Sequence, residues 1–299
     1  MRVGGDQLKL LVTGATGLLG GAVLNLLLAG GQEVRCLVRE GSLYTSRLDA
    51  FRIELFRGDV GDARVLSRAL SRMDALLHVA GIEYAPQVVE AARRAGVGRL
   101  VVVGSTSAHS TYKFRSGPKL RMEKLVHESG LEYTIVRPSM IYGSELDKNM
   151  HRLLVFLDRS PVFPMFGSGE NLWQPVYHED CANGVYEALV RPAAVGQSYD
   201  LPGAEPLTFL ELVKTAAGAL GRKPRIVRLP LEPVRISLAA AEVMRLPLPI
   251  KSEQLLRLRE DKVYSYDKAK RELGYAPRPF WEGIALEVTR LRALGMVRP

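Results

Sequence analysis

Cysteine is scarce in this chain of 299 residues: Cys36 and Cys181 are the only two, far apart in sequence and without a local partner. That excludes a disulfide-stapled fold and points to reduced thiols in a cytoplasmic setting. No repeat, low-complexity tract or linker rich in glycine and serine interrupts the chain, which argues against fibrous and disordered classes. There is no basic or acidic tail. The net charge of +9 is shared almost evenly by the two halves, so it favours small anionic ligands over a nucleic-acid footprint. The uncharged stretch over residues 10–32 is cut by Gly14, Gly17, Gly20, Gly21, Gly30 and Gly31, too often for a spanning helix. Neither a nucleic-acid partner nor a membrane span is expected. The five histidines show no i, i+4 pair and no Cys–His spacing, and no metal site is expected.

What remains, 47% apolar and 24% charged residues, is the composition of a globular protein with one large or two modest domains. Residues 8–12 form a short apolar run, and Leu18, Leu19, Ala22, Val23, Leu26 and Leu27 follow at helical spacing. Gly30-Gly31 closes that helix, and residues 33–38 read as a second strand. The alternation continues with strands near 52–56, 75–79, 100–103 and 133–136 and helices near 62–70, 86–95 and 120–129. Such alternation predicts an α/β fold, a Rossmann-type doubly wound parallel sheet.

After Arg137-Pro138 the rhythm changes, and Pro161, Pro164, Gly167 and Gly169 mark loop. Helices are expected from about 179 and over 212–220, 234–245, 252–260, 267–273 and 281–294, with Thr208 and Glu211 at capping-box spacing. The reading is a dinucleotide-binding domain over 7–165, completed by parts of 174–203, and a smaller, mostly helical substrate lobe over 204–299 with contributions from 140–173.

The segment Thr13-Gly14-Ala15-Thr16-Gly17-Leu18-Leu19-Gly20 spaces its glycines G-x-x-G-x-x-G between a predicted strand and a predicted helix. In that context glycine permits a tight turn and close backbone approach, and the helix N-terminus offers unpaired N–H groups to a pyrophosphate. Gly14, Thr16, Gly17, Leu18 and Leu19 are therefore expected against the cofactor. An acidic residue about 20 positions further on would bind the adenosine ribose of NAD. Val38 stands there instead, followed by Arg39. A guanidinium suits a 2′-phosphate, so NADP(H) is expected over NAD(H).

These residues resemble the short-chain dehydrogenase/reductase superfamily in its extended and atypical branches, the group of NAD-dependent epimerases and dehydratases, and the likeness covers most of the chain. It implies that Asp59 and Val60 meet the adenine, that Val79, Ala80 and Gly81 line the adenine ribose, and that Pro138 passes the nicotinamide amide. It also implies a Tyr-x-x-x-Lys pair on a helix, with a Ser or Thr on the preceding strand end. Gly104-Ser105-Thr106-Ser107 supplies the hydroxyl, assigned to Ser105; Lys124 fits the lysine, which also holds the ribose; the tyrosine position is Leu120. Leucine cannot move a proton, and losing a positioned acid–base group costs on the order of 10²–10⁴ in rate. Tyr84, His109, Tyr112 and Tyr142 are the protic side chains that a loop could bring there.

Arg39, the missing tyrosine and Glu272-Leu273-Gly274-Tyr275 resemble, within the superfamily, bacterial relatives of the nucleotide-binding accessory subunit of respiratory complex I. The implied function is an NADP(H)-binding atypical reductase acting on a small carbonyl or quinone-like substrate. The alternatives are a cofactor-binding assembly or sensor protein with little turnover, and a nucleotide-sugar epimerase or dehydratase. A small-molecule substrate is the expected partner; the sequence leaves its identity and the oligomeric state open.

Overall fold

Runs such as Lys9–Thr13 and Arg99–Val103 are apolar at nearly every position because both faces of the strands they form are covered. The structure, a computed structural model, describes residues 7–42, 44–147, 149–233, 236 and 260–299. In chain order its elements begin with β1 (Lys9–Thr13), α1 (Leu18–Ala29), β2 (Glu33–Val38), β3 (Glu54–Arg57), α2 (Ala63–Ala69) and β4 (Ala75–His78). Next come α3 (Ala85–Ala95), β5 (Arg99–Val103), α4 (Lys113–His127), β6 (Glu132–Pro138), α5 (Met150–Arg159) and β7 (Val162–Phe166). The chain ends with α6 (His178–Val190), β8 (Gln197–Leu201), α7 (Phe209–Ala219), β9 (Arg225–Leu229), α8 (Asp267–Leu273) and α9 (Phe280–Ala293).

Two units emerge. The first comprises Met1–Ile141, Val176–Pro202 and Tyr264–Pro277. Its seven-stranded sheet runs β3-β2-β1-β4-β5-β6-β8, parallel throughout, as the alternation predicts. The period of two sorts its side chains. Leu10, Val12, Ala75, Leu77, Val101 and Val103 pack with α1 and α6, while Leu11, Leu76, Leu100 and Val102 pack with α2, α3 and α4. Cys36 and Cys181 are free thiols buried in the first of these cores. Burial pushes the Cys36 thiol up to about 12 and raises Cys181 as well, so both are apolar filling rather than nucleophiles.

The division of the chain differs from the expected one in two places. Residues 142–165, expected in the dinucleotide-binding domain with contributions to the lobe, belong wholly to the second unit. Tyr264–Pro277, expected in the lobe, returns to the first. There the Tyr275 hydroxyl donates to the Pro202 carbonyl at 2.7 Å and the Tyr199 hydroxyl donates to Glu272 at 2.7 Å, while the Lys268 ammonium donates to Gln197 at 2.7 Å. Helix α4 begins at Lys113, seven residues before the expected start near 120, and carries Pro118 in its interior. Gly117-Pro118 has the look of a helix beginning, yet α4 runs through it without the bond that a Pro118 N–H would have made.

The second unit comprises Tyr142–Pro175, Gly203–Val263 and Arg278–Pro299. Residues 162–166, expected as loop, form β7 and pair in parallel with β9, with Pro164 opposite Val227. A sheet of two strands has only edge strands, where proline is tolerated. The capping box is present: Thr208 accepts from the Glu211 N–H at 3.1 Å and its own N–H donates to Glu211 at 2.8 Å. Buried Asp158 ties the Arg222 and Arg298 guanidinium groups together at 2.9 and 3.1 Å. The helices expected over 234–245 and 252–260 fall almost wholly outside the described residues. Among the described residues, no helix is long and apolar enough to cross a membrane.

Candidate functional site

In a doubly wound sheet, ligands lie outside the carboxyl ends of the strands where the strand order reverses. That point is between β1 and β4. Immediately after β1, Gly14 adopts φ +77°, and a Cβ there would stand 2.9 Å from the Ala80 nitrogen and 3.0 Å from the Val79 carbonyl carbon. The turn after β1 thus lies flat against the turn after β4. A Cβ on Gly20 would lie 2.1 Å from the Gly14 carbonyl oxygen, so α1 also presses on the turn. The Gly17 N–H donates to Gly14 O at 3.0 Å, and no side chain caps α1. The result is a concave strip of backbone at an uncapped helix start, which meets the demands of a pyrophosphate. Gly14, Thr16, Gly17, Leu18 and Leu19 all lie on it, with Leu19 reaching down into the core.

His78, at the end of β4, holds the floor of this cradle. The Gly81 carbonyl can only accept, so His78 Nε2–H donates to it at 2.7 Å and Nδ1 accepts from the Thr13 hydroxyl at 2.8 Å. Burial drives the imidazole down to about 4, and it is neutral in the folded chain. Its ordinary value is 6.5, so its contribution to stability is complete above pH 6.5 and is lost as pH falls toward 4. A loss on the order of 3 kcal/mol is expected across that window. Urea unfolding of wild type and His78→Gln at pH 7 and 4.5 checks this; a decline of equal size in the variant assigns the effect elsewhere.

The adenine-side residues lie on the same edge of the sheet. Arg39 directly follows β2, is exposed, and makes no ion pair with a described residue. Asp59 is exposed and folds back on its own turn, accepting from the Gly61 N–H at 2.7 Å, whereas the Val60 side chain is in the core. Val79, Ala80 and Gly81 are half-buried beneath Gly14.

Helix α4 corrects the proton-handling set. Lys124 points into solvent, its side chain 72% exposed and its ammonium 3.7 Å from Glu128 one turn on. Leu120 is likewise exposed. The face turned inward carries Ser116, Glu123 and Val126, with Lys119 at its margin. Lys119 reaches Glu83 at 3.4 Å, and the Glu83 carboxylate sits against Gly81. The lysine aimed at the β4 end is therefore Lys119, and Arg115 occupies the place one turn ahead of it. The expected pair, Leu120 and Lys124, thus stands five residues beyond this one.

Ser105 stands just past β5, accepting from the Ser107 N–H at 3.2 Å and from the Ser107 hydroxyl at 3.1 Å. Next to it Thr106 donates to the Pro138 carbonyl at 3.3 Å, which pins the end of β6 to this turn. A charged relay that runs from buried Glu123 to exposed His109 lies alongside. Arg137 holds Glu123 with two bonds of 2.8 and 2.9 Å and lies 3.6 Å from Asp200, which accepts from His109 Nε2 at 2.9 Å. Arg137 carried a signal through its place before Pro138 and His109 as one of four protic candidates; Glu123 and Asp200 carried none.

A family model described as NAD(P)H-binding matches residues 14–154. Over 236 residues the chain is 30% identical to a ceramide reductase of Caulobacter vibrioides, covering 73% of each. It is 26% identical to the mitochondrial NADH dehydrogenase [ubiquinone] 1 alpha subcomplex subunit 9 of Arabidopsis thaliana, covering 83% of this chain and 67% of that one. Its fold matches a UDP-glucuronic acid 4-epimerase from Bacillus cereus solved in complex with NAD, with a TM-score of 0.76 at 19% identity over 96% and 99% of the two chains. The cradle after β1 and these likenesses agree: the chain belongs to the NAD(P)H-binding family.

Proposed function

We propose that the chain is an NADP(H)-dependent reductase of small carbonyl or quinone-like compounds. The backbone cradle at Gly14, closed by Gly20 and leading to the exposed Arg39 at the end of β2, is the observation that carries the reading. The reductase relative supports the direction of the chemistry. A reduced dinucleotide, when bound, supplies a hydride. The amides after β1 hold its pyrophosphate, Arg39 faces the 2′-phosphate, and Asp59 meets the adenine. Lys119 takes the ribose position assigned from sequence to Lys124. The Ser105 hydroxyl orients the substrate oxygen, its own bond to Ser107 fixing its direction.

Arg39→Gln is expected to weaken NADPH binding about 10–100-fold, the range for one lost charge-assisted contact, and to leave NADH within about threefold. Fluorescence titration of both nucleotides checks this; equal weakening of both removes Arg39 as the selector. Oxidation of NADPH against a panel of aldehydes, ketones and quinones tests the reductase itself.

One observation favours a second reading, a cofactor-holding assembly or sensor protein. Neither register of α4 places a tyrosine ahead of its lysine: Leu120 precedes Lys124 and Arg115 precedes Lys119. Tight NADPH binding with a silent panel establishes that reading instead. The epimerase or dehydratase alternative rests on fold likeness alone.

A further inference from the structure

We propose that His109 is the proton donor of the reduction, presented by Asp200 from the turn that carries Ser105. This rests on the reductase reading. Of the four protic side chains that the sequence offered, three are packed by their rings. Tyr142 is buried against Phe280 and its hydroxyl donates to the Phe280 carbonyl. Tyr84 lies edge-on to His78, and its backbone occupies the N-cap position of α3. The Tyr112 ring packs against Phe114 at the start of α4.

His109 differs from these in every respect that matters to a donor. It sits four residues after Ser105, on the short 3₁₀ turn Thr106–His109 that Ser105 caps, and its side chain is 42% exposed. Nε2 contacts both oxygens of Asp200, at 2.9 and 3.1 Å, which leaves Nδ1 without a partner among the described residues. Asp200 cannot swing away, since Arg137 lies against it and Arg137 is clamped by the buried Glu123. The Tyr264 ring packs on the imidazole at 5.7 Å and fixes its plane. Nucleophilic and acid–base sites elsewhere use the same arrangement, an imidazole oriented by a carboxylate on one nitrogen and open on the other.

The charges that face His109 are Asp200, Arg137 and Glu123. The Asp200 hydrogen bond prevails, and the imidazole is held above its ordinary value of 6.5. The cation therefore persists to higher pH than in a free imidazole, and it is the form that acts in the proposed step. As the carbonyl carbon accepts the hydride, its C=O π pair moves to oxygen, and that oxygen takes the Nδ1 proton. A C–H and an O–H bond form, the dinucleotide's hydride-bearing C–H and the imidazole N–H bond break, the carbonyl gains the two electrons that the dinucleotide loses, and solvent restores the proton. His109 ends neutral, still donating Nε2–H to Asp200.

The test pairs a ring-nitrogen NMR titration of the whole chain with pH–rate profiles, using the panel compound that wild type reduces fastest. In wild type, the resonance absent from H109Q is expected to titrate above 6.5, with Nε2–H as the neutral tautomer, and D200N to move it down. The rate should fall as pH rises through that same value, and the fall should shift downward in D200N. H109Q should lose this limb and about 10²–10⁴ in kcat, with the NADPH Kd within about threefold. Because His109 is half-exposed, H109Q keeps the test open even if D200N unfolds. An unshifted wild-type titration, or an H109Q profile that keeps its limb, overturns the role of His109 while leaving the reductase standing. Wild type that reduces nothing overturns both.

Discussion

Gly20→Ala is expected to raise the NADPH dissociation constant at least ~100-fold, about 2.7 kcal/mol. Elsewhere the same change in a helix is favourable by up to ~1 kcal/mol, since alanine has the higher propensity and the lower unfolded-state entropy. Here the new methyl would lie 2.1 Å from the Gly14 carbonyl oxygen and 2.7 Å from its carbon, both backbone atoms that no rotamer change can remove. Either α1 withdraws or the Gly14 turn lifts off Ala80, and in both cases the amides lose their aim. Gly218→Ala is the control: it is also in a helix and nothing lies within 4 Å of its new methyl. Calorimetry should show binding lost in the first and kept in the second, with the melting temperature of Gly218→Ala unchanged or higher. Near-normal NADPH affinity in Gly20→Ala would remove this turn from the binding site.

Arg137→Met is expected to cost about 3–5 kcal/mol of stability, the range for leaving one half of a buried ion pair behind. The Glu123 side chain is 4% exposed and that of Arg137 14%, and without the guanidinium two carboxylates face each other across its place. At roughly 2–4 °C per kcal/mol the melting temperature should fall by about 10 °C. The double variant Glu123→Leu with Arg137→Met should recover most of this, since the buried charge goes with its partner. Thermal melts of the two single variants and the double variant decide it; full additivity would mean that the pair does not act as a unit.

The parallel sheet could be read from the chain because its strands are buried on both faces and each is punctuated by glycine or by a helix of regular period. The glycine turn was equally plain, since only glycine tolerates φ +77° with backbone 2.9 Å away. What stayed hidden depended on distant partners. Pro118 has the same local signature at a helix start as within α4, and a Tyr-x-x-x-Lys spacing without its tyrosine does not tell Lys124 from Lys119, which lies at the margin of the inward face. Pro164 reads as loop until β9 is seen beside it. Glu123, Asp200 and His109 are far apart in sequence and ordinary one by one; only the convergence of α4, β6 and β8 makes them a relay. Tyr264–Pro277 lies within the C-terminal part, and its return to the first unit rests on bonds to Gln197, Tyr199 and Pro202.

The most direct measurement is calorimetric titration of the wild-type chain with NADPH and with NADH. One site per chain, with NADPH bound at least ~10-fold tighter than NADH, about 1.4 kcal/mol, is the expected result. Heat with neither nucleotide contradicts the assignment of the cradle after β1, and with it every role given above to the residues around it.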